Sequence, residues 1–160
     1  MSRIPAIHPA TLALAVALAT VTAFVPVATA DTVYHSQHLA LTPVGGAPLR
    51  SGFVENIKAN GPQIYAHEQF VLNGAAPNTT YTVNRIFYLS TATCPQGQGL
   101  PPFPVGTITT NAAGNGADDV VVPPEAIPRF LVGDHGVYWT VTDGAGTVHY
   151  KTACTTATLD

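Results

Sequence analysis

The sequence predicts an all-β chain, an antiparallel two-sheet sandwich of about seven to nine strands closed by one disulfide. Three observations predict it. Turn signals recur along residues 31–160, at Gly45-Gly46, Asn60-Gly61-Pro62, Asn73-Gly74, Gly97-Gln98-Gly99, Gly114-Asn115-Gly116 and Asp143-Gly144. Short runs rich in β-branched and aromatic residues lie between them. No window sustains a helical period, and the prolines would interrupt one.

The ends set the boundaries. Arg3 gives a basic start, Thr11–Val25 is apolar, Pro26 breaks it, and Ala28-Thr29-Ala30 has the small-x-small form of a signal peptidase site. The expectation is a signal peptide over residues 1–30, cleaved before Asp31, and a single β domain over residues 31–160. The apolar run falls short of the roughly 18–20 residues that a span needs, so the mature chain is expected to carry no membrane span. The exported chain is large enough to bury a real core.

Charge excludes some partners. The whole chain has 6 Lys and Arg against 9 Asp and Glu, a formal net charge of −3, with no basic stripe. That argues against nucleic acid and anionic membranes. Charged residues are only 9% of the chain, but hydrophobic ones are 46%, so composition does not predict disorder. The abundance of Ala, Gly, Pro and Thr with little Lys suggests a bacterium with a GC-rich genome.

The strands are expected near Val33–Thr42, Gly52–Ala59, Gln63–Leu72, Thr80–Thr91, Thr107–Asn111, Asp118–Val122, Val137–Thr142 and Thr147–Thr156. The last two form a hairpin about a four-residue loop, Asp143–Gly146. Pairing Thr142 with Thr147 sets Val141 against Val148, Trp139 against Tyr150 and Val137 against Thr152. These share one apolar face, and Cys154 continues it inward. Tyr138, Thr140, Thr142, His149 and Lys151 form a polar opposite face. Thr107–Val122 is expected to be a second hairpin about N-A-A-G-N-G, with Ile108 opposing Val120. The prolines from Pro101 to Pro128 mark exposed connections around it.

The two cysteines of an exported chain, Cys94 and Cys154, are expected to form a disulfide. Closing a loop of roughly 60 residues stabilises by about 4 kcal/mol in the chain-entropy picture.

The stretch from Leu72 to Val83, L-N-G-A-A-P-N-T-T-Y-T-V, resembles a corner of fibronectin type III and related immunoglobulin-like sandwiches, L-x-G-L-x-P-G-T-x-Y-x-V. Leu72, Gly74, Pro77, Thr79, Tyr81 and Val83 match it. Ala75 stands for a leucine, and Asn78 for a glycine at a position where Asn also tolerates positive φ. The resemblance implies an immunoglobulin-like antiparallel sandwich whose corner is pinned by the Tyr81 hydroxyl on backbone a few residues upstream. On that basis Tyr81→Phe costs roughly 1–2 kcal/mol. The placement of Trp139, the length after the corner and the cysteine spacing depart from the family, so the architecture alone carries over. Asn78-Thr79-Thr80 has the form of a glycosylation sequon and is read as a turn. T-I-T-T-N-A-A-G-N-G looks like hairpins of exported bacterial β-domains. The chain as a whole resembles uncharacterised small secreted actinobacterial β-domain proteins.

Catalytic motifs are missing. Ser36, Ser51 and Ser90 lie in neither G-x-S-x-G nor S-x-x-K. His67-Glu68-Gln69-Phe70-Val71 begins like a zinc-protease motif without its second histidine. Acidic residues are scattered, so a small hydrolase with paired carboxylates is the weakest reading. Histidine is the enriched functional type. His35, His38 and His67 are the candidate copper or zinc ligands, although His35 and His38, three apart, point to opposite faces of a regular strand. Asn111, Asn115, Asp118 and Asp119 suggest a calcium loop, but the spacing is not that of an EF-hand, and a solvated turn is preferred. Tyr34, Tyr65, Tyr88 and Tyr138 suggest a carbohydrate strip, but tyrosines on sheets more often fill cores. The leading expectation is a secreted non-catalytic sandwich without cofactor, binding an extracellular ligand or surface partner or serving as a structural module. The metal-binding protein is the alternative.

Overall fold

The computed structural model describes residues 34–59, 66–89, 91–123, 125 and 132–159; the leader expected over residues 1–30 lies outside them. Ten strands occur among these: β1 (Tyr34–Ala40), β2 (Thr42–Pro43), β3 (Ser51–Ala59), β4 (Ala66–Asn73), β5 (Thr80–Tyr88), β6 (Phe103–Thr109), β7 (Gly116–Val122), β8 (Gly133–Thr142), β9 (Val148–Lys151) and β10 (Thr155–Leu159). They make two antiparallel sheets, one ordered β1-β3-β4-β7 and the other β2-β9-β8-β5-β6, with β10 also paired to β8.

Alternation builds the core. On β4, Ala66, Glu68, Phe70 and Leu72 are buried, and on β5 Tyr81, Val83, Arg85 and Phe87 take the inward positions. Val54, Ile108, Val137, Trp139, Val141 and Tyr150 complete the centre, each wholly buried. Side chains of this size each contribute about 1.5–3 kcal/mol on burial.

Two expectations about pairing are corrected. Thr107–Val122 is not a hairpin. β6 pairs with β5 and β7 with β4, so the Asn111–Asn115 turn carries the chain from one sheet to the other. Ile108 and Val120 do face the same core, but across the sandwich. In the C-terminal hairpin, Val141 pairs with Tyr150 and Thr142 with Val148. The loop runs from Asp143 to Thr147, closed by Asp143 N–H donating to the Thr147 carbonyl and by the Asp143 carboxylate accepting from Ala145 and Thr147 amides. His149 is the extra residue of a bulge, which moves the register while keeping Trp139 and Tyr150 inward.

The last expected strand is broken. β9 and β10 both run along β8, and between them Thr152 replaces ladder bonding: its amide donates to Trp139 O and its hydroxyl accepts from Trp139 N, each at 3.0 Å. The break shifts the register by one residue. Cys154 therefore leaves the inward face and is exposed, contrary to expectation. It meets Cys94 with a Cα–Cα distance of 6.0 Å.

Both flanks of the sandwich are joined by single side chains. On one, Gln37 of β1 donates to the Thr156 carbonyl (2.7 Å) and Thr155 hydroxyl (3.2 Å) of β10. On the other, Asp118 of β7 accepts from the Thr107 amide of β6 at 2.7 Å and from its neighbour Asp119 N at 3.0 Å.

Candidate functional site

The only buried ion pair among the described residues lies between the sheets. Glu68 sits where the inward parity of β4 demands an apolar residue, and Arg85 does the same on β5. Glu68 is 0% exposed. Its Oε1 accepts from Arg85 Nη1 at 2.5 Å and its Oε2 from Trp139 Nε1 at 3.4 Å. Trp139 is the ladder partner of Arg85, so β5 and β8 present both donors side by side to β4. The Arg85 guanidinium also lies 4.8 Å from the centre of the Phe87 ring. Both carboxylate oxygens are thus engaged and water is excluded, which suits a structural bolt and not a group that exchanges protons with substrate. Asn56, partner of Glu68 across the β3–β4 ladder, donates to Gln37 at 3.4 Å and extends this polar layer to the flank. The sequence did carry a signal for the pair: charged residues at core parity in A-H-E-Q-F-V-L and Y-T-V-N-R-I-F.

Of the candidate metal ligands, His38 and His67 are not brought to one site. His67 and Glu68 project to opposite faces of β4. His38 and His67 share the outer face of the first sheet, but each has its own carboxylate. His38 Nδ1 lies 2.8 Å from Glu55, whose other oxygen accepts from Ser36 at 2.8 Å, and His67 pairs with Asp119. The hydrogen bonds from His38 and then Ser36 hold the Glu55 carboxyl below its usual range, against a smaller opposing effect of burial. The side chain of His35 lies outside the described residues. Among those residues, no group of three or more His, Cys, Asp and Glu is placed to hold a metal ion.

The polar turn at the β6–β7 crossing serves the backbone. Asn111 Oδ1 accepts from the amides of Ala113 and Asn115, and Asn115 Oδ1 accepts from Gly74 N. Gly114 is required there. Its φ is +75°, and a Cβ would stand 2.1 Å from the Ala75 carbonyl oxygen.

The corner at Leu72–Tyr81 forms, but another residue pins it. Asn78 has φ +50°, as its place in the motif requires. Leu72 and Tyr81 are buried, Pro77 is exposed, and Thr79 Oγ1 donates to Pro77 O. The Tyr81 hydroxyl does not reach the upstream backbone; it meets the Tyr150 hydroxyl at 3.4 Å, and Tyr150 donates to Pro48 O at 2.8 Å. The stitch is Thr110, whose hydroxyl donates to Ala76 O (2.6 Å) and accepts from Thr79 N (2.9 Å), while its amide donates to Thr79 O. Thr110→Val keeps the backbone bond but leaves the half-buried Ala76 carbonyl and Thr79 amide without their hydroxyl partner, and is expected to cost about 1–3 kcal/mol. Tyr81→Phe loses only a long bond and is expected to cost below about 1 kcal/mol. Urea denaturation of the two variants checks the order, and the reverse order would contradict this account of the corner.

Burial raises the Tyr150 hydroxyl well above the usual tyrosine range, helped by its contact with Tyr81. Tyr138 is raised by burial and by its hydrogen bond with Tyr88. For both, the folded state favours the protonated phenol. Their contribution to stability is complete below the ordinary value of 10.0 and is lost as pH rises beyond it. Melting temperature should therefore fall above about pH 10, and Tyr150→Phe should flatten that fall. An unchanged slope in the variant would assign it elsewhere.

Of the four tyrosines of the suggested strip, the two whose side chains are described make a single pair. Tyr88 and Tyr138 face each other at 6.1 Å on the outer side of the second sheet, and Tyr88 is buried there. Tyr65 and the Tyr34 side chain lie outside the described residues. The outer face expected to be polar is therefore covered at this end by the segment between β5 and β6. Leu100 N donates to Phe87 O, Gly136 N to Thr91 O, and Thr156 Oγ1 to Ala92 O. Gly99 sits so close to Ile86 and Tyr88 that a Cβ would lie 2.9 Å and 3.0 Å from them. Cys94, at the start of this segment, is tied to Cys154 behind β8. No protein-family model, curated protein or solved structure matches the chain.

Proposed function

We propose that the protein is a secreted, non-catalytic, immunoglobulin-like β-sandwich that acts outside the cell as a binding or structural module. The observation that supports this most is the state of its most enzyme-like groups. Glu68, the one wholly buried carboxylate among the described residues, is saturated by Arg85 and Trp139 inside the core. A general acid or base must reach a substrate proton, and this carboxylate is closed off by the side chains that bond it. The Cys94–Cys154 disulfide supports an oxidising compartment, and the signal-like segment before Asp31 supplies the route to it.

The test has two arms. Purified protein is offered a panel of glycan and ester substrates, and no turnover is expected; turnover abolished by Glu68→Gln in a folded variant would overturn the reading. N-terminal sequencing of the protein recovered from culture medium should begin at Asp31. Retention in the cytoplasm would refute secretion.

A further inference from the structure

The segment between β5 and β6 covers a surface that it is only lightly attached to. By the parity of β5, Tyr81, Val83 and Phe87 point into the core, so Ile86 and Tyr88 point outward. They are nevertheless only 5% and 6% exposed. Residues 91–102 lie over them as a strap. Gly99 rests against Ile86 and the Tyr88 ring, and the Thr93 carbonyl crosses β8 so closely that a Cβ on Gly136 would fall 2.0 Å from it. Tyr138 of β8 stands beside Tyr88. None of the strap's own residues is buried, and none belongs to the core cluster. Among the described residues, it is tied to the sandwich by Leu100 N on Phe87 O, Gly136 N on Thr91 O, Thr156 Oγ1 on Ala92 O and the Cys94–Cys154 bridge. A segment with few buried apolar contacts and exposed backbone bonds lies at the low end of local stability, so the bridge carries much of the attachment. Cys154 is exposed and Cys94 half-buried, which leaves the bond open to a thiolate in solution. Exposed disulfides are the more readily reduced ones.

We propose that the bridge is a redox latch: reduction of Cys94–Cys154 releases the strap from the outer face of the second sheet and uncovers Ile86, Tyr88 and Tyr138, while the sandwich stays folded. This goes beyond the non-catalytic reading and does not depend on it. The reductant is a dithiol. One of its thiolates attacks the exposed Cys154 sulfur, the S–S bond breaks, and Cys94 departs as a thiolate. The second thiol of the reductant then attacks the mixed disulfide, frees Cys154 and closes the reductant's own disulfide. Two electrons and two protons pass to the protein, which ends with two thiols, and the dithiol ends oxidised. The two halves of the broken bridge are held unequally. Cys154 is followed at once by β10, which keeps its ladder on β8 from Thr155↔Val137 to Leu159↔Gly133 and its bonds to Gln37. Cys94 belongs to no strand. The strap is therefore the part that leaves, and the core cluster, to which neither cysteine belongs, is untouched.

Amide hydrogen exchange of the folded protein, with and without dithiothreitol, tests this. The bridge should be reduced without denaturant. The Leu100 and Gly136 amides, which bond across the strap, should then exchange at least about tenfold faster, while protection along β3 and β4 is unchanged. A variant carrying Cys94→Ala and Cys154→Ala should show the same pattern and no response to dithiothreitol. In that variant tetranitromethane should nitrate Tyr88 at least about tenfold faster than in the oxidised parent, as expected for a side chain that has lost its cover, and the core residues Tyr81 and Tyr150 should stay unreactive. A bridge that yields only in denaturant overturns the proposal. So does a strap whose amides and Tyr88 are unmoved by loss of the bridge. Joint opening of Leu100, β3, β4, Tyr81 and Tyr150 also overturns it, since the bridge would then support the whole fold and not one segment.

Discussion

Glu68→Ala is expected to lower stability by about 3–5 kcal/mol, the usual consequence of removing one partner from a buried ion pair. The cost does not measure what the pair contributes. The substitution strands the Arg85 guanidinium in a core where Glu68 is 0% exposed and Trp139 is wholly buried, and it also leaves the Trp139 N–H without its acceptor. Replacing both charges by apolar residues of similar volume, Glu68→Leu with Arg85→Met, removes the stranded charge, and stability should return to within about 1–2 kcal/mol of the parent. Urea denaturation at constant slope reads both values. A single variant that costs less than about 1 kcal/mol would show the pair to be open to water.

Replacing Cys94 and Cys154 together by alanine is expected to remove up to about 4 kcal/mol, since the bond closes a separation of 60 residues. Cys154 is exposed and Cys94 half-buried, so the alanines leave no cavity in the core. The loss arises in the unfolded chain, which gains freedom. For a domain of this size the melting temperature should fall on the order of 10–20 °C. Scanning calorimetry checks it, and an unchanged melting temperature after full reduction would remove the disulfide from the account of stability.

Period-two alternation made most of the architecture legible. It gave most of the strands and the apolar face of Trp139 and Tyr150, whereas the corner after Leu72 was legible only through its resemblance to fibronectin type III corners. It failed at Ile108 and Val120 for a definable reason. Inward residues of paired neighbours and inward residues of facing sheets obey the same parity, so a pattern that fits a hairpin fits a sheet crossing equally well. The long proline-bearing start of β6 was hidden because Pro104 is acceptable on an edge strand, which is where it lies. The position of Cys154 was lost for another reason, since a one-residue break at Thr152–Cys154 reverses the side of everything beyond it. The charged pair was visible as two residues at the wrong parity, yet nothing local joined Glu68 to Arg85. Thr110 and Gln37 gave no signal, and Asp118 stood out only as a member of a suggested calcium loop, because each acts on backbone that is remote in sequence or on another sheet.

The covering segment after β5 has a consequence for how the protein meets proteases. Its tip, residues 96–102, is exposed and contains Gly97, Gly99 and two adjacent prolines. A cut there falls between Cys94 and Cys154. The two fragments stay covalently joined and also interlocked, because β5 lies between β6 and β8 in one sheet and β4 lies beside β7 in the other. Nicked protein would run as one species on a denaturing gel until a reducing agent parts it into two, so cleavage of this exposed segment is one that the fold is built to survive.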